Sequence, residues 1–267
     1  MKLYKTELMK ILKRKSTWIL IGLMLLLVIA IGQIEIYNKQ NMIINFGQLV
    51  GYRRFLDLLE FFLICAFLVE IIVLASFYCE DRQDRVSVLI LTTKKGKLYD
   101  YVARVQVTIT FIICLNIMMI MAAYVICYVN YGYNGGNLLV KEMHLSSVFD
   151  EKSVFVLIRM YLFNVFNASI VLGTLVACIS VRSKNSMYSF LVIVGLMFLP
   201  VMLENIFRNG EMNIGYTLVT SGPILLITRR CFMESGAVYG WHIFVIYIIV
   251  VVTCFAGGKK WCSVPKE

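Results

Sequence analysis

The sequence predicts an all-α integral membrane protein with six transmembrane helices, an N-terminal amphipathic interfacial helix and a short re-entrant segment before the last span. Three observations lead there. Hydrophobic residues make up 60% of the 267 and charged residues 16%, whereas an ordinary soluble domain is nearer half apolar and a quarter charged. The apolar residues fall into runs of about 20 bounded by charge, the length of helix that crosses a bilayer core of about 30 Å. The 26 lysines and arginines outnumber 16 acids, for a net charge of +10, and they gather in alternate connecting segments. This composition excludes a water-soluble globule, and it excludes disorder, which carries the opposite bias. The spans leave no room for a separate folded domain, so residues 1–267 read as a single transmembrane domain.

The elements follow in order. In residues 1–15, Leu3, Tyr4, Leu8, Ile11 and Leu12 recur at helical spacing, with Lys5, Lys10, Lys13 and Arg14 on the other faces. That pattern predicts a helix lying on the membrane surface. The first span is Thr17–Ile36. Its apolar run is longer than that of a signal peptide and no small-x-small cleavage site follows, so it is expected to be retained. The second span is Leu58–Cys79, interrupted by Glu60 and Glu70. The third is Tyr101–Tyr128, with Arg104 near its start and Asn116 near its middle. The fourth is Val154–Val181, the fifth Met187–Leu203 with Pro200 near its end, and the sixth Trp241–Gly257. Residues 205–240 form an expected extracytoplasmic loop. Within it, Ile214–Thr228 is too short for a straight crossing and is broken by Gly215, Gly222 and Pro223, which predicts a re-entrant segment.

Orientation follows from the positive charges. With the N-terminus inside, most of the 26 lysines and arginines fall in residues 2–15, 82–104, 182–184 and 259–266. The bias places both termini in the cytoplasm of a cell-membrane protein. Topology and inner-leaflet lipid account for the basic balance, and no nucleic-acid partner is expected. Six of the eight cysteines lie in or at the ends of apolar runs without CxxC or Cys/His spacing. They read as small hydrophobes, so neither a disulfide framework nor a metal site is expected. Cys231 alone is a candidate for redox chemistry.

Polar residues inside the spans carry the candidate chemistry. Glu70, Asn116, Asn164 and Asn167 share a similar depth, which makes them candidates for a substrate path or a helix interface. A charge at that depth costs a few kcal/mol or more, so Glu70 must face other helices, face water, or be neutral. The plainer alternative for each asparagine is a bond to a neighbouring helix, worth about 1 kcal/mol. Ser169 and Thr174 read as helix-packing residues. Catalytic, cofactor-binding and metal-binding residues are not expected. His144 and His242 are the only two histidines, and HExxH and GxSxG are absent. An integral membrane enzyme built around Glu70, Asn116 and Asn167 remains the alternative, although no nucleophile–base spacing supports it. A membrane scaffold is a third reading.

The longest cytoplasmic segment, residues 80–100, reads EDRQDRVSVLILTTKKGKLYD. It opens on mixed charge, continues through the apolar patch Val86 to Leu91, and ends in lysines. A connector needs only a few residues, so this segment predicts a short amphipathic element able to dock in a groove on a soluble partner. Taken with the basic KRKSTWILIG elbow, two spans before this loop and four after it, the chain resembles the permease subunit of ABC transporters of the type-two (ABC-2) exporter family. The resemblance implies an elbow helix on the inner surface, a coupling helix seated on a separate ATPase, and two permease chains pairing as a homodimer or heterodimer. By position it matches Glu80 to the acidic residue opening the loop, Leu89 to Leu91 to the apolar core of the coupling segment, and Arg104 to the basic residue starting the third span. With Asp81, Arg82, Asp84, Arg85, Val88 and Lys94 beside them, Glu80, Leu89 and Leu91 are the residues expected to couple to the ATPase. Arg85 and Val86 stand where the family often has Gly-Thr, and Thr92 to Lys94 where it often has proline. GxxxxGK[ST] is absent, so the phosphate-cradling loop, ATP and Mg are expected on the partner ATPase rather than on this chain.

Overall fold

The computed structural model describes residues 2–46, 49–83, 96–143, 151–183, 185–207, 248–253 and 256. Among them run α1 (Lys2–Lys13), α2 (Lys15–Phe46), α3 (Val50–Gln83), α4 (Gly96–Tyr131), a short 3-10 turn at Val140–Met143, α5 (Val154–Arg182) and α6 (Ser186–Phe207). Residues 248–253 are helical as well. No strand occurs among the described residues, only one antiparallel bridge between Leu139 and Ser153. Helices are what a bilayer permits, because each helix satisfies its own backbone without water. Four stretches are long and apolar enough to cross one: Lys15–Tyr37, Val50–Tyr78, Tyr99–Tyr131 and Val154–Ser180. Ser186–Leu199 is a shorter apolar helix. The first five expected spans thus coincide with helices, four of them of crossing length. Of the sixth, residues 248–253 and 256 are helical and the rest lies outside the described residues, as does Ile214–Thr228.

The helices outrun the apolar runs. α2, α3 and α4 contain 32, 34 and 36 residues, or about 50 Å each at 1.5 Å per residue, well beyond a hydrocarbon core of about 30 Å. α3 begins at Val50 rather than Leu58. It continues through Arg54 and Asp57 because these side chains pair with each other, and Arg54 also pairs with Glu35 of α2. At its other end α3 runs on to Gln83, so Glu80, Asp81 and Arg82 form its last turn instead of opening a loop. Residues 96–100 likewise belong to α4. Both edges of the expected 80–100 loop are therefore helical, while Asp84, Arg85, Val88, Leu89, Leu91 and Lys94 lie outside the described residues. α6 passes through Pro200 to Phe207, which makes residues 205–207 of the expected 205–240 loop helical too.

α3 is the hub, packing against α2, α4, α5 and α6. Its Phe62, Leu63, Ala66, Leu74 and Phe77 are buried in a core shared with Ile112, Met119, Tyr161 and Leu172. α2 is the loosest member. It rests on α3 and α4 and leaves Trp18, Ile19, Leu23, Leu26, Ile29 and Tyr37 exposed. A continuous apolar face of that kind belongs against lipid or another chain.

α1 is helical where the sequence predicts it, and part of its apolar stripe packs on the bundle: Ile11 is fully buried, Tyr4 and Leu8 pack against the core, Leu3 stays exposed, and the helix lies along α4.

Candidate functional site

Three polar levels cross the bundle. The first binds α1 to the start of α4 and to the end of the buried part of α3. Glu7, 2% exposed, sits 2.7 Å from the Lys10 ammonium and 3.7 Å from Arg104 Nε. Arg104 is itself 2.9 Å from Asp100, one helical turn back on α4. Tyr4 Oη donates to Thr110 Oγ1 at 3.1 Å. Arg14, at the break between α1 and α2, donates from Nη1 to Ser76 Oγ at 3.0 Å. The Arg14 and Arg104 guanidiniums both stand over the Phe77 ring, at 5.5 and 5.9 Å, within cation–π range. Tyr78 and Thr108 hydroxyls share a hydrogen bond of 2.8 Å just beyond. Glu7 was not among the sequence candidates. The available signal was its place in the 4–7–8–11 stripe, a lone acid on the one face of α1 that is otherwise apolar.

The second level lies deeper. α3 and α4 are antiparallel neighbours, and the Tyr78–Thr108 bond fixes their register. Eight residues further along each, about 12 Å away, Glu70 and Asn116 come to the same depth. Both are fully buried, as is Ser169 of α5. Asn116 Nδ2 donates to Ser169 Oγ at 2.7 Å, and that hydroxyl donates to the Val165 carbonyl at 2.6 Å. Asn116 Oδ1 and both Glu70 carboxyl oxygens have no hydrogen-bond partner. Of the four mid-depth candidates, then, Glu70 and Asn116 share a level. Asn167 does not join it, since its Nδ2 bonds its own helix at the Phe163 carbonyl, 3.0 Å away. Asn164 Nδ2 is buried without a partner. Ser169, read from sequence as packing, is the residue that ties Asn116 to α5.

The third level is at the far end. Arg54 of α3 donates from Nε to Glu35 Oε2 of α2 at 3.0 Å and pairs a second time through Nη2 with Glu35 Oε1. Its Nη1 meets Asp57 at 3.2 Å, and Tyr131 Oη of α4 donates to Glu35 Oε2 at 2.8 Å. Beside this group Tyr52, Phe55, Tyr124, Tyr128, Tyr133 and Phe155 form a cluster of rings. Tyr124 and Tyr133 stack with centroids 4.9 Å apart, and Tyr52 meets Phe155 edge-on. Burial among these rings raises the Tyr133 phenol above its ordinary range. Of the connection from Tyr131 to Val154, residues 132–143 and 151–153 are described, and they pack over this end of the bundle. Gly132 and Gly135 take positive φ of 72° and 81°, Val140 and Met143 are buried, and Arg53 donates to the Met143 carbonyl. Neither Glu35 nor Arg54 stood out in the sequence, because pairing between helices has no local signature.

The chemistry of the middle level follows from its imbalance. A carboxyl group at membrane depth with neither oxygen bonded is costly in a closed bundle. The cost falls whenever the helices part enough for water or a ligand to reach it. Glu70→Gln removes the ionisable carboxyl from this buried position, so the variant is expected to be more stable by about 1–2 kcal/mol, read as a higher melting temperature in detergent. A lower one would mean that the Glu70 charge is held by a partner. For the Asn116–Ser169 bond, a double-mutant cycle with Asn116→Ala and Ser169→Ala should return a coupling of about 1 kcal/mol.

Among the described residues no group of three His, Cys, Asp or Glu side chains lies close enough to hold a metal ion. No protein-family model, no curated protein and no solved structure matches the chain. The fold itself defines a class: an all-helical membrane protein with a polar level buried inside the bundle and an ionic clamp at each end.

Proposed function

We propose that the chain is the membrane-spanning permease subunit of an ATP-driven exporter of the ABC-2 type. It would move a hydrophobic or peptide-like substrate, such as an antimicrobial peptide, a drug or a lipid, out of the cell by alternating access. ATP and Mg would bind a separate soluble ATPase, and the α1 end of the bundle would face the cytoplasm. One observation carries the reading. α1, the end of α3 and the start of α4 converge at one end of the bundle and are joined by Glu7, Arg14, Ser76, Asp100 and Arg104. A push on the segment between α3 and α4 would therefore be felt by three helices at once. The unpartnered Glu70 gives a reason for the bundle to open, and the uncovered face of α2 suits a second permease chain.

Purification of the full chain from its native membrane tests this. A P-loop ATPase is expected to accompany it and to cross-link to cysteines placed at Asp84, Leu89 or Lys94. The reading fails if those positions are labelled from the exterior, or if the complex holds no ATPase touching them. Chemical activity of the isolated chain would instead favour the enzyme reading.

A further inference from the structure

The face of α1 turned away from the bundle carries a feature that the transport reading does not use. Tyr4, Glu7, Leu8 and Ile11 are spent on the core and on Arg104, which leaves the opposite side to Lys5, Thr6, Met9 and Lys13, all exposed. Lys5, Met9 and Lys13 are four residues apart and so form one stripe. With Thr6 and Lys10 they line an open groove of about 520 Å³. Lys10 is paired with Glu7, whereas Lys5 and Lys13 have no ion-pair partner among the described residues. The groove is therefore cationic at both ends, with the half-exposed Met9 thioether between them.

Its depth identifies the occupant. α1 ends at Lys13 and the crossing stretch of α2 starts at Lys15, so the groove lies where the chain enters the bilayer. Trp18, 56% exposed, is one turn into α2, and its indole N–H donates to the Leu12 carbonyl at 2.6 Å. An exposed tryptophan at a span end sits at headgroup level. We infer that the Lys5–Met9–Lys13 groove of α1 is a binding site for the headgroup of an anionic phospholipid, with the phosphate on the two lysines and Met9 against the glycerol and upper acyl region. A soluble acidic partner fits less well, because the tryptophan places this stripe at the lipid boundary. The inference needs the chain to be a membrane protein but not a transporter, so either proposal can fail without the other.

The test uses the full chain purified in a neutral detergent and titrated separately with a short-chain phosphatidylglycerol, a phosphatidylcholine of the same chain length, and inorganic phosphate, following the melting temperature. Phosphatidylglycerol is expected to raise it and the other two are not. A lysine at an anionic surface contributes about fivefold to binding. Lys5→Gln with Lys13→Gln should therefore weaken the phosphatidylglycerol effect roughly 25-fold, leaving the lipid-free melting temperature unchanged. Lys141→Gln, an exposed lysine at the far end, should leave the response intact. Equal response to the two lipids, an equal response to inorganic phosphate, or a double variant that responds like the native chain would each overturn the assignment.

Discussion

Replacing Arg54 by leucine is expected to cost about 3–5 kcal/mol of stability, the largest loss from any single charge in the described structure. The reason is Glu35. Its side chain is only 2% exposed, and once the guanidinium is gone a single bond from Tyr131 remains to hold its charge. Glu35→Gln removes the other partner and should cost far less, about 1 kcal/mol. Arg54 then keeps Asp57 at 3.2 Å and its own 20% exposure to more polar surroundings. The double variant Glu35→Leu, Arg54→Leu leaves no orphaned charge and should recover most of the loss. Melting curves of the three proteins in one detergent measure this. Equal losses from the two single variants, or a double variant as unstable as their sum, would show that the pair is not the desolvated contact described above.

Gly51→Ala is expected to be the most damaging one-carbon change. Gly51 lies in the first turn of α3, and a Cβ there would overlap the carbonyl oxygen of Gly132. The obstacle is backbone, held in place by bonds from the Gly132 N–H to the Cys127 and Tyr128 carbonyls at 3.2 and 3.0 Å. It cannot swing aside as a side chain would, so an overpacking cost of about 2–3 kcal/mol follows. Gly22→Ala is the control. It too is helical, but a Cβ there meets nothing within 4 Å, so helix propensity alone acts and the variant should gain up to about 1 kcal/mol. Opposite signs for the same substitution in two helices separate the tight α3–α4 corner from the open surface of α2. Two variants with the same sign would refute the close approach.

The course of the spans could be read from apolar runs, and Val154–Arg182 matches its expected limits almost residue for residue. The helix ends could not. A run bounded by charge treats every Asp, Glu, Lys and Arg as a boundary, whereas Arg54, Asp57, Asp100 and Arg104 continue their helices because each has a partner nearby. Some of these partners lie one turn away on the same helix, but Arg54 and Arg104 also have partners on other helices, far off in sequence, and nothing local announces Glu7 beside Arg104 or Glu35 beside Arg54. The middle level was half legible. Depth alone singled out Glu70 and Asn116, but a span gives no facing direction. Asn167, at similar depth, turns back on its own helix, and Ser169 is the true neighbour of Asn116. The ring cluster at the far end went unread because tyrosines near a span end look like an ordinary aromatic belt, whether or not they stack.

α2 has polar fastenings near both ends, Arg14 on Ser76 and Glu35 on Arg54, and between them Met24 and Val28 enter the core while the opposite face stays uncovered. Sequence drift should be distributed accordingly. Leu23, Leu26 and Ile29 can exchange with other greasy residues at little penalty, since whatever presses on them, an acyl chain or a twin subunit, is deformable or can drift in step. The two anchor points have no such latitude. The helix behaves as a rail with fixed ends, on which the identity of the neighbouring molecule can be rewritten while the bundle behind it stays as it is.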